Sequence, residues 1–130
     1  MYYIPEREGE GYGMHNEAIE SLASDGITLI ITVDNGISSV PEVEKARELG
    51  IDVVITDHHQ VQKTLPKAVA VIDPHRADCG SVFKDFSGAG IALKLVMALE
   101  WEIGEPIDTL YAYADLAAIG TIGDVVPLLG

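Results

Sequence analysis

Three short runs of β-branched and aliphatic residues constrain this chain more than any other feature: residues 28–33 (TLIITV), 52–56 (DVVIT) and 68–72 (AVAVI). A continuous apolar run of this length predicts a strand buried on both faces. Between the first two runs, Ser39-Val40-Pro41-Glu42 has the spacing of a capping box with an early proline. It predicts a helix with Val43, Ala46 and Leu49 inward, closed by Gly50. Ahead of the first run, Met14, Ala18, Ile19, Leu22 and Ala23 recur at helical spacing, and Gly26 supplies a stop. Strands separated by helices predict βαβ units, and hence an α/β fold with a parallel sheet flanked by helices.

Tyr2, Tyr3 and Ile4 read as a further strand stopped by Pro5. The character changes after Pro74. Residues 81–87 read as mixed loop, and Gly88-Ala89-Gly90 leads into an apolar helix towards Glu102, broken by Gly104 and Pro106. Ile107, Leu110, Tyr111, Ala114, Leu116 and Ala117 begin another helix towards Ile119. The expected organisation is a βαβ part over residues 1–80 and a helical part over 81–130. The first residues enter an apparent strand with nothing before it to pair with. The last six, VVPLLG, stop on an apolar run. Both ends suggest a piece of a longer chain; the alternative is a complete domain with a hydrophobic tail.

Composition limits the chemistry. The 130 residues carry 8 Lys+Arg against 21 Asp+Glu, a formal net charge of −13, and 48% are apolar. That apolar content excludes intrinsic disorder and is enough for one domain's core. The charge excludes holding a polyanion on a broad basic face, because the long-range field repels it. A single cysteine, Cys79, excludes a disulfide scaffold and a multi-cysteine zinc site, and fits a reducing cytoplasm. The N-terminus has no basic segment before an apolar one, and no stretch reaches the ~18 apolar residues of a membrane helix. The expectation is a soluble cytoplasmic protein with no membrane partner.

Acidic residues fall where ligands bind. Asp34 and Asp57 directly follow the first two strand runs, at the carboxyl edge of the predicted sheet, which is where open α/β sheets bind ligands. Asp34-Asn35-Gly36 is also a turn signature, so Asp34 is either a turn former or a ligand. Asp57-His58-His59 is harder to assign to packing. Neighbouring side chains diverge, so one imidazole can bind a metal while the other faces substrate, with Asp57 behind to orient a ring. The alternative is a solvated histidine pair. Asp124 is a lone carboxylate amid apolar residues and needs a partner, either a metal or a helix end. Carboxylates with imidazole suit Mn²⁺ or Mg²⁺ better than structural zinc. The glycine clusters at 9–13 and 88–90 are either phosphate cradles or tight turns; neither is a complete phosphate-binding fingerprint. His15 and His75 read as surface residues, Cys79 as a small packed residue and Arg7 as an exposed charge.

Four segments in order, ITVDNGISS at 31–39, TDHH at 56–59, SGAGIALKL at 87–95 and AAIGTIGDVVPL at 117–128, resemble the DHH phosphoesterase superfamily. The stretch YIPEREGEGYG at 3–13 resembles its RecJ branch of single-strand-specific 5′→3′ DNA exonucleases. The resemblance implies a Rossmann-like α/β DHH domain with a two-metal site for Mn²⁺ or Mg²⁺, acting on single-stranded DNA in repair and recombination. It implies that Asp34 bridges the metals, that His58 and Asp124 are metal ligands, and that His59 meets the phosphate. Asp57 would support them in catalysis, and Arg7 falls where the branch carries an arginine able to hold the 5′-phosphate. In-line attack by water on the terminal phosphodiester would follow.

The resemblance also implies missing parts. The family's aspartate-rich first motif lies upstream of the YIP segment. The DHHA1 domain and a nucleic-acid-binding OB domain belong to the same parent chain and would be the partners of this segment. The expectation is therefore a partial domain with half a metal site, weak metal affinity and little nuclease activity alone. Two further readings are a DHH-type oligonucleotide or nucleotide phosphatase, and a non-catalytic phosphate-binding or scaffold module. Under the enzymatic readings the charge of −13 is compatible with acting on DNA, because carboxylates that gather divalent ions make a phosphate site of local negative charge.

Overall fold

The computed structural model describes residues 1–5, 13–106 and 108–128. The three apolar runs become β1 (Leu29–Val33), β2 (Asp52–Thr56) and β3 (Ala70–Ile72), one parallel sheet in the order β1-β2-β3. Helices α1 (Asn16–Ser24) and α2 (Val40–Glu48) accompany the first two strands, and α3 (Gly88–Ile103) and α4 (Thr109–Gly123) follow the third. The predicted α/β architecture is the observed one.

The core lies beneath α1 and α2. Ile19, Val43, Ala46, Ile51, Val53 and Ile55 form one buried cluster, with Met14, Ala23, Ile30, Ala68 and Val71 packed against it. Burying each large aliphatic side chain fully is worth about 1.5–3 kcal/mol, so this cluster fixes α2 against β2. Gly26, Gly50 and Gly104 follow the first three helices with φ +76°, a left-handed stop that a side chain would resist.

Several local expectations fail for identifiable reasons. Residues 2–4 form no strand; residues 1–5 instead line a cavity of about 570 Å³ with β1 and α1. Strand β1 is an edge strand with one face uncovered, so Leu29, Ile31 and Val33 are each about half exposed, and two-sided burial describes β2 alone. The crossover from β2 to β3, residues 57–69, contains no helix, so β1-α2-β2 is the one βαβ unit among the described residues. The capping box does not form, because the Ser39 side chain makes no capping hydrogen bond. Leu49 stands outside the core, 41% exposed. The second glycine cluster leads into α3 as expected, behind an N-cap that the sequence reading did not name: Gly90 N–H donates to Ser87 Oγ at 3.1 Å. Helix α4 runs past Ile119 to Gly123, and Ile107 lies outside the described residues.

Candidate metal centre

Strand register builds the site. Val33 pairs with Thr56 and Thr56 with Ile72, so the next residue on each strand, Asp34, Asp57 and Asp73, falls at one level of the carboxyl edge. The ladder continues into that level, with Asp34 N–H donating to Thr56 O and Asp57 N–H to Ile72 O, each at 3.0 Å. These three carboxylates have different surroundings.

Asp34 both forms a turn and faces the site. Its φ is +65°, an uncommon value for a residue with a side chain. The turn is held by Thr32 Oγ1–H donating to Asn35 O at 2.7 Å and Asn35 Nδ2–H to Val33 O at 2.9 Å. Its carboxylate is half exposed and lies 2.9 Å from His58 Nε2.

Asp57 is 1% exposed and saturated with donors. Ile37 N–H donates to Oδ2 at 2.8 Å, while the N–H groups of His58 and His59 donate to Oδ1 at 2.8 and 3.2 Å. His59 Nδ1 completes the set, 2.7 Å from Oδ1. Burial raises the carboxyl pKa, but these hydrogen bonds outweigh it and hold it below the usual range. The carboxylate in turn raises His59 above the usual imidazole value, against a smaller opposing effect of burial, with Asp34 and Asp124 adding to the rise.

His58 lies where three elements meet. Its side chain is 11% exposed, and Nε2 sits between Asp34 Oδ1 at 2.9 Å and Asp124 Oδ2 at 3.2 Å. That buried nitrogen makes no well-formed hydrogen bond among the described residues. Two carboxylate oxygens facing one ring nitrogen call for positive charge between them, which a proton on Nε2 or a divalent cation would supply. Donor atoms of Asp34, His58 and His59 also lie within 4.8 Å of one another. The donor set of carboxylates and imidazole fits a hard or borderline divalent ion such as Mn²⁺.

Asp124 follows the end of α4 as its C-cap residue, so it is at once helix-terminal and directed at the site. The next residue, Val125, has φ +55°. A β-branched residue rarely adopts that value, so backbone strain adjoins this carboxylate.

The glycine cluster at 88–90 serves close approach. A Cβ on Gly88 would lie 2.4 Å from both Cβ and Oδ1 of Asp34. Arg7 and residues 9–12 lie outside the described residues. Cys79 is half-buried and lines a cavity of about 420 Å³ between β3 and α3. His15 and His75 are half-buried rather than on the surface, and each has one buried ring nitrogen without a hydrogen-bond partner among the described residues.

Asp73 escaped the sequence reading. It is 3% exposed; Oδ1 accepts the His75 N–H at 2.7 Å, and Oδ2 has no hydrogen-bond partner among the described residues. Burial lifts its pKa above the usual carboxylate range, the His75 amide opposes this, and the nearby Asp57 charge adds to the rise. The signal was present: an aspartate follows the third apolar run just as one follows the first two.

Comparison with known proteins bears on this arrangement. Residues 1–121 match the model of the DHH family, N-terminal domain. The single-stranded-DNA-specific exonuclease RecJ of Bacillus subtilis (strain 168) is 49% identical over 127 residues, covering 98% of this chain and 15% of that protein. The protein of the same name from Escherichia coli (strain K12) is 44% identical over 136 residues, covering 98% of this chain and 24% of that one. A crystal structure of exonuclease RecJ bound to manganese superposes with a TM-score of 0.86 at 40% identity, covering 98% of this chain and 32% of that one. The chain thus spans a quarter or less of the curated relatives named here.

Proposed function

The chain belongs to the DHH family, and from that premise we propose that it forms part of the metal-binding catalytic core of a RecJ-type exonuclease that hydrolyses single-stranded DNA from the 5′ end. The observation that carries this reading is the convergence of Asp34, His58 and Asp124, with His58 Nε2 within 3.2 Å of both carboxylates. The relatives are named as single-stranded-DNA-specific exonucleases, and the similar solved structure of exonuclease RecJ is bound to manganese.

In this reading Asp34, His58 and Asp124 would hold Mn²⁺ or Mg²⁺. A divalent ion there supplies Lewis-acid neutralisation of the phosphate and lowers the pKa of water. Asp57 is the positioning residue: it orients His59 through Nδ1 and raises its pKa. The Nε2–H of His59 would donate to a non-bridging phosphate oxygen, stabilising charge as the water oxygen joins phosphorus and the ester P–O bond breaks; the water loses a proton to solvent and the leaving ester oxygen takes one up. Arg7 is assigned to the 5′-phosphate by resemblance. Other domains of the parent protein grip the DNA, since this segment's net charge of −13 offers no broad cationic surface. No described helix is long and apolar enough to cross a membrane; placement in the cytoplasm follows in this reading from DNA as the substrate, as the names of the RecJ relatives indicate.

The test is Mn²⁺-dependent digestion of 5′-phosphorylated single-stranded DNA by the whole protein that contains this chain. Asp34→Ala is expected to abolish turnover, and His59→Ala to reduce it while Mn²⁺ stays bound. Equal loss of Mn²⁺ in both variants contradicts the division of roles.

A further inference from the structure

Asp34 and Asp124 face each other across His58 but are carried by different bodies. Asp34 ends a strand of the sheet, whereas Asp124 ends α4. Helix α4 buries none of its residues and packs chiefly on α3. The spacing of the two carboxylates is therefore set through the first turn of α3, which touches both bodies. On one side Gly88 abuts Asp34; on the other, a Cβ on Gly120 would lie 2.5 Å from Ala89 Cβ.

A directed hydrogen-bond chain joins that turn to α4. Gly90 N–H donates to Ser87 Oγ at 3.1 Å, Ser87 Oγ lies 3.1 Å from Thr121 Oγ1, and Thr121 Oγ1–H donates to Ala117 O at 2.7 Å. Thr121 has committed its proton to Ala117, so the Ser87 hydroxyl is the donor in the middle link. Ser87 is 2% exposed, which shields this link from competing water. Thr121 is one turn before Asp124, and Ser87 immediately precedes Gly88.

We propose that Ser87 and Thr121 are positioning residues that set the gap between Asp34 and Asp124 for the metal ion. The inference rests on the metal-binding reading above. Ligand distances tolerate only about 0.2 Å of error. Slack between α3 and α4 therefore passes into ion affinity before it unfolds the domain.

Thr121→Val removes the hydroxyl at nearly constant shape and leaves the Ser87 cap on Gly90 intact, so it separates positioning from capping. Mn²⁺ affinity is read from loss of the free-ion paramagnetic resonance signal as the chain is titrated, alongside the thermal midpoint. Thr121→Val is expected to weaken Mn²⁺ binding by about tenfold, the lower end for groups that orient ligands. Thr121→Ser is expected to bind within about twofold of wild type. Combining Ser87→Ala with Thr121→Val is expected to be no worse than the weaker single variant, because both cut one link. Wild-type affinity in Thr121→Val, or losses that multiply in the double variant, overturns the proposal. If the wild-type chain binds no Mn²⁺, the metal reading fails by itself. Positioning is then judged in the metal-free chain from the ¹⁵N resonance of the His58 imidazole at fixed pH. A change in Thr121→Val but not in Thr121→Ser supports it, and identical spectra overturn it.

Discussion

Gly88 and Asp34 are in contact so close that no side chain fits between them: a Cβ at residue 88 would lie 2.4 Å from Asp34 Cβ. Helix propensity alone favours alanine over glycine by about 1 kcal/mol. Overpacking costs about 1–3 kcal/mol and acts directly on a proposed ligand, so it wins. Gly88→Ala is expected to lower the thermal midpoint and weaken Mn²⁺ binding together. A variant more stable than wild type contradicts the contact.

Asp57 is expected to be the most costly carboxylate to remove. Asp57→Ala leaves the amides of Ile37, His58 and His59 without their acceptor. The buried Ile37 amide alone is expected to cost about 1–3 kcal/mol, and the part-buried amides of His58 and His59 add less each. The folded pKa is depressed. This stabilisation is thus present above the ordinary carboxylate value and lost as pH falls through the lower folded one. Denaturant titrations across acidic pH check this; an acid limb unchanged in Asp57→Asn counts against it.

His59 makes the opposite prediction for activity. Its raised pKa, caused first by Asp57, keeps the imidazole protonated to higher pH than usual. Cleavage by the whole enzyme is expected to fall as pH rises through that value. In Asp57→Asn the falling limb should move to lower pH, because the partner that raises the pKa has lost its charge. A limb that stays in place in this variant removes His59 from the proton-donating role.

Asp73 inverts the stability argument made for Asp57. Its folded pKa is raised by burial, so the folded state binds the proton more tightly. Stability then falls as pH rises from the ordinary carboxylate value through the raised one, and stays lower above it. Asp73→Asn is expected to flatten this slope and raise the thermal midpoint at pH 7 but not at pH 3. Parallel pH profiles for the two chains would exclude the buried charge as the cause.

Much of this was legible in the chain itself, and the misses share a cause. The three apolar runs and their glycine stops depend on local chemistry, and they gave the sheet and the helices α1 to α3 their places. Residues 2–4 have strand composition but pair with no strand among the described residues, and Leu29, Ile31 and Val33 look buried in sequence because nothing local reports an uncovered face. The grouping of Asp34, His58 and Asp124 followed from motif and resemblance. What was not legible is contact between distant segments: Gly88 against Asp34, Ser87 against Thr121, and Asp73 level with Asp34 and Asp57. Such relationships depend on register and helix packing, which no single segment encodes.

The central claim is that Asp34, His58 and Asp124 together hold a divalent ion. Isothermal titration of the chain with Mn²⁺ tests it most directly, comparing wild type with Asp34→Ala, His58→Ala, Asp124→Ala and His59→Ala. The account predicts measurable binding by wild type, loss of at least about tenfold in each of the first three, and affinity near wild type in His59→Ala. Absence of Mn²⁺ binding by the wild-type chain, or affinity unchanged in the first three variants, would contradict it.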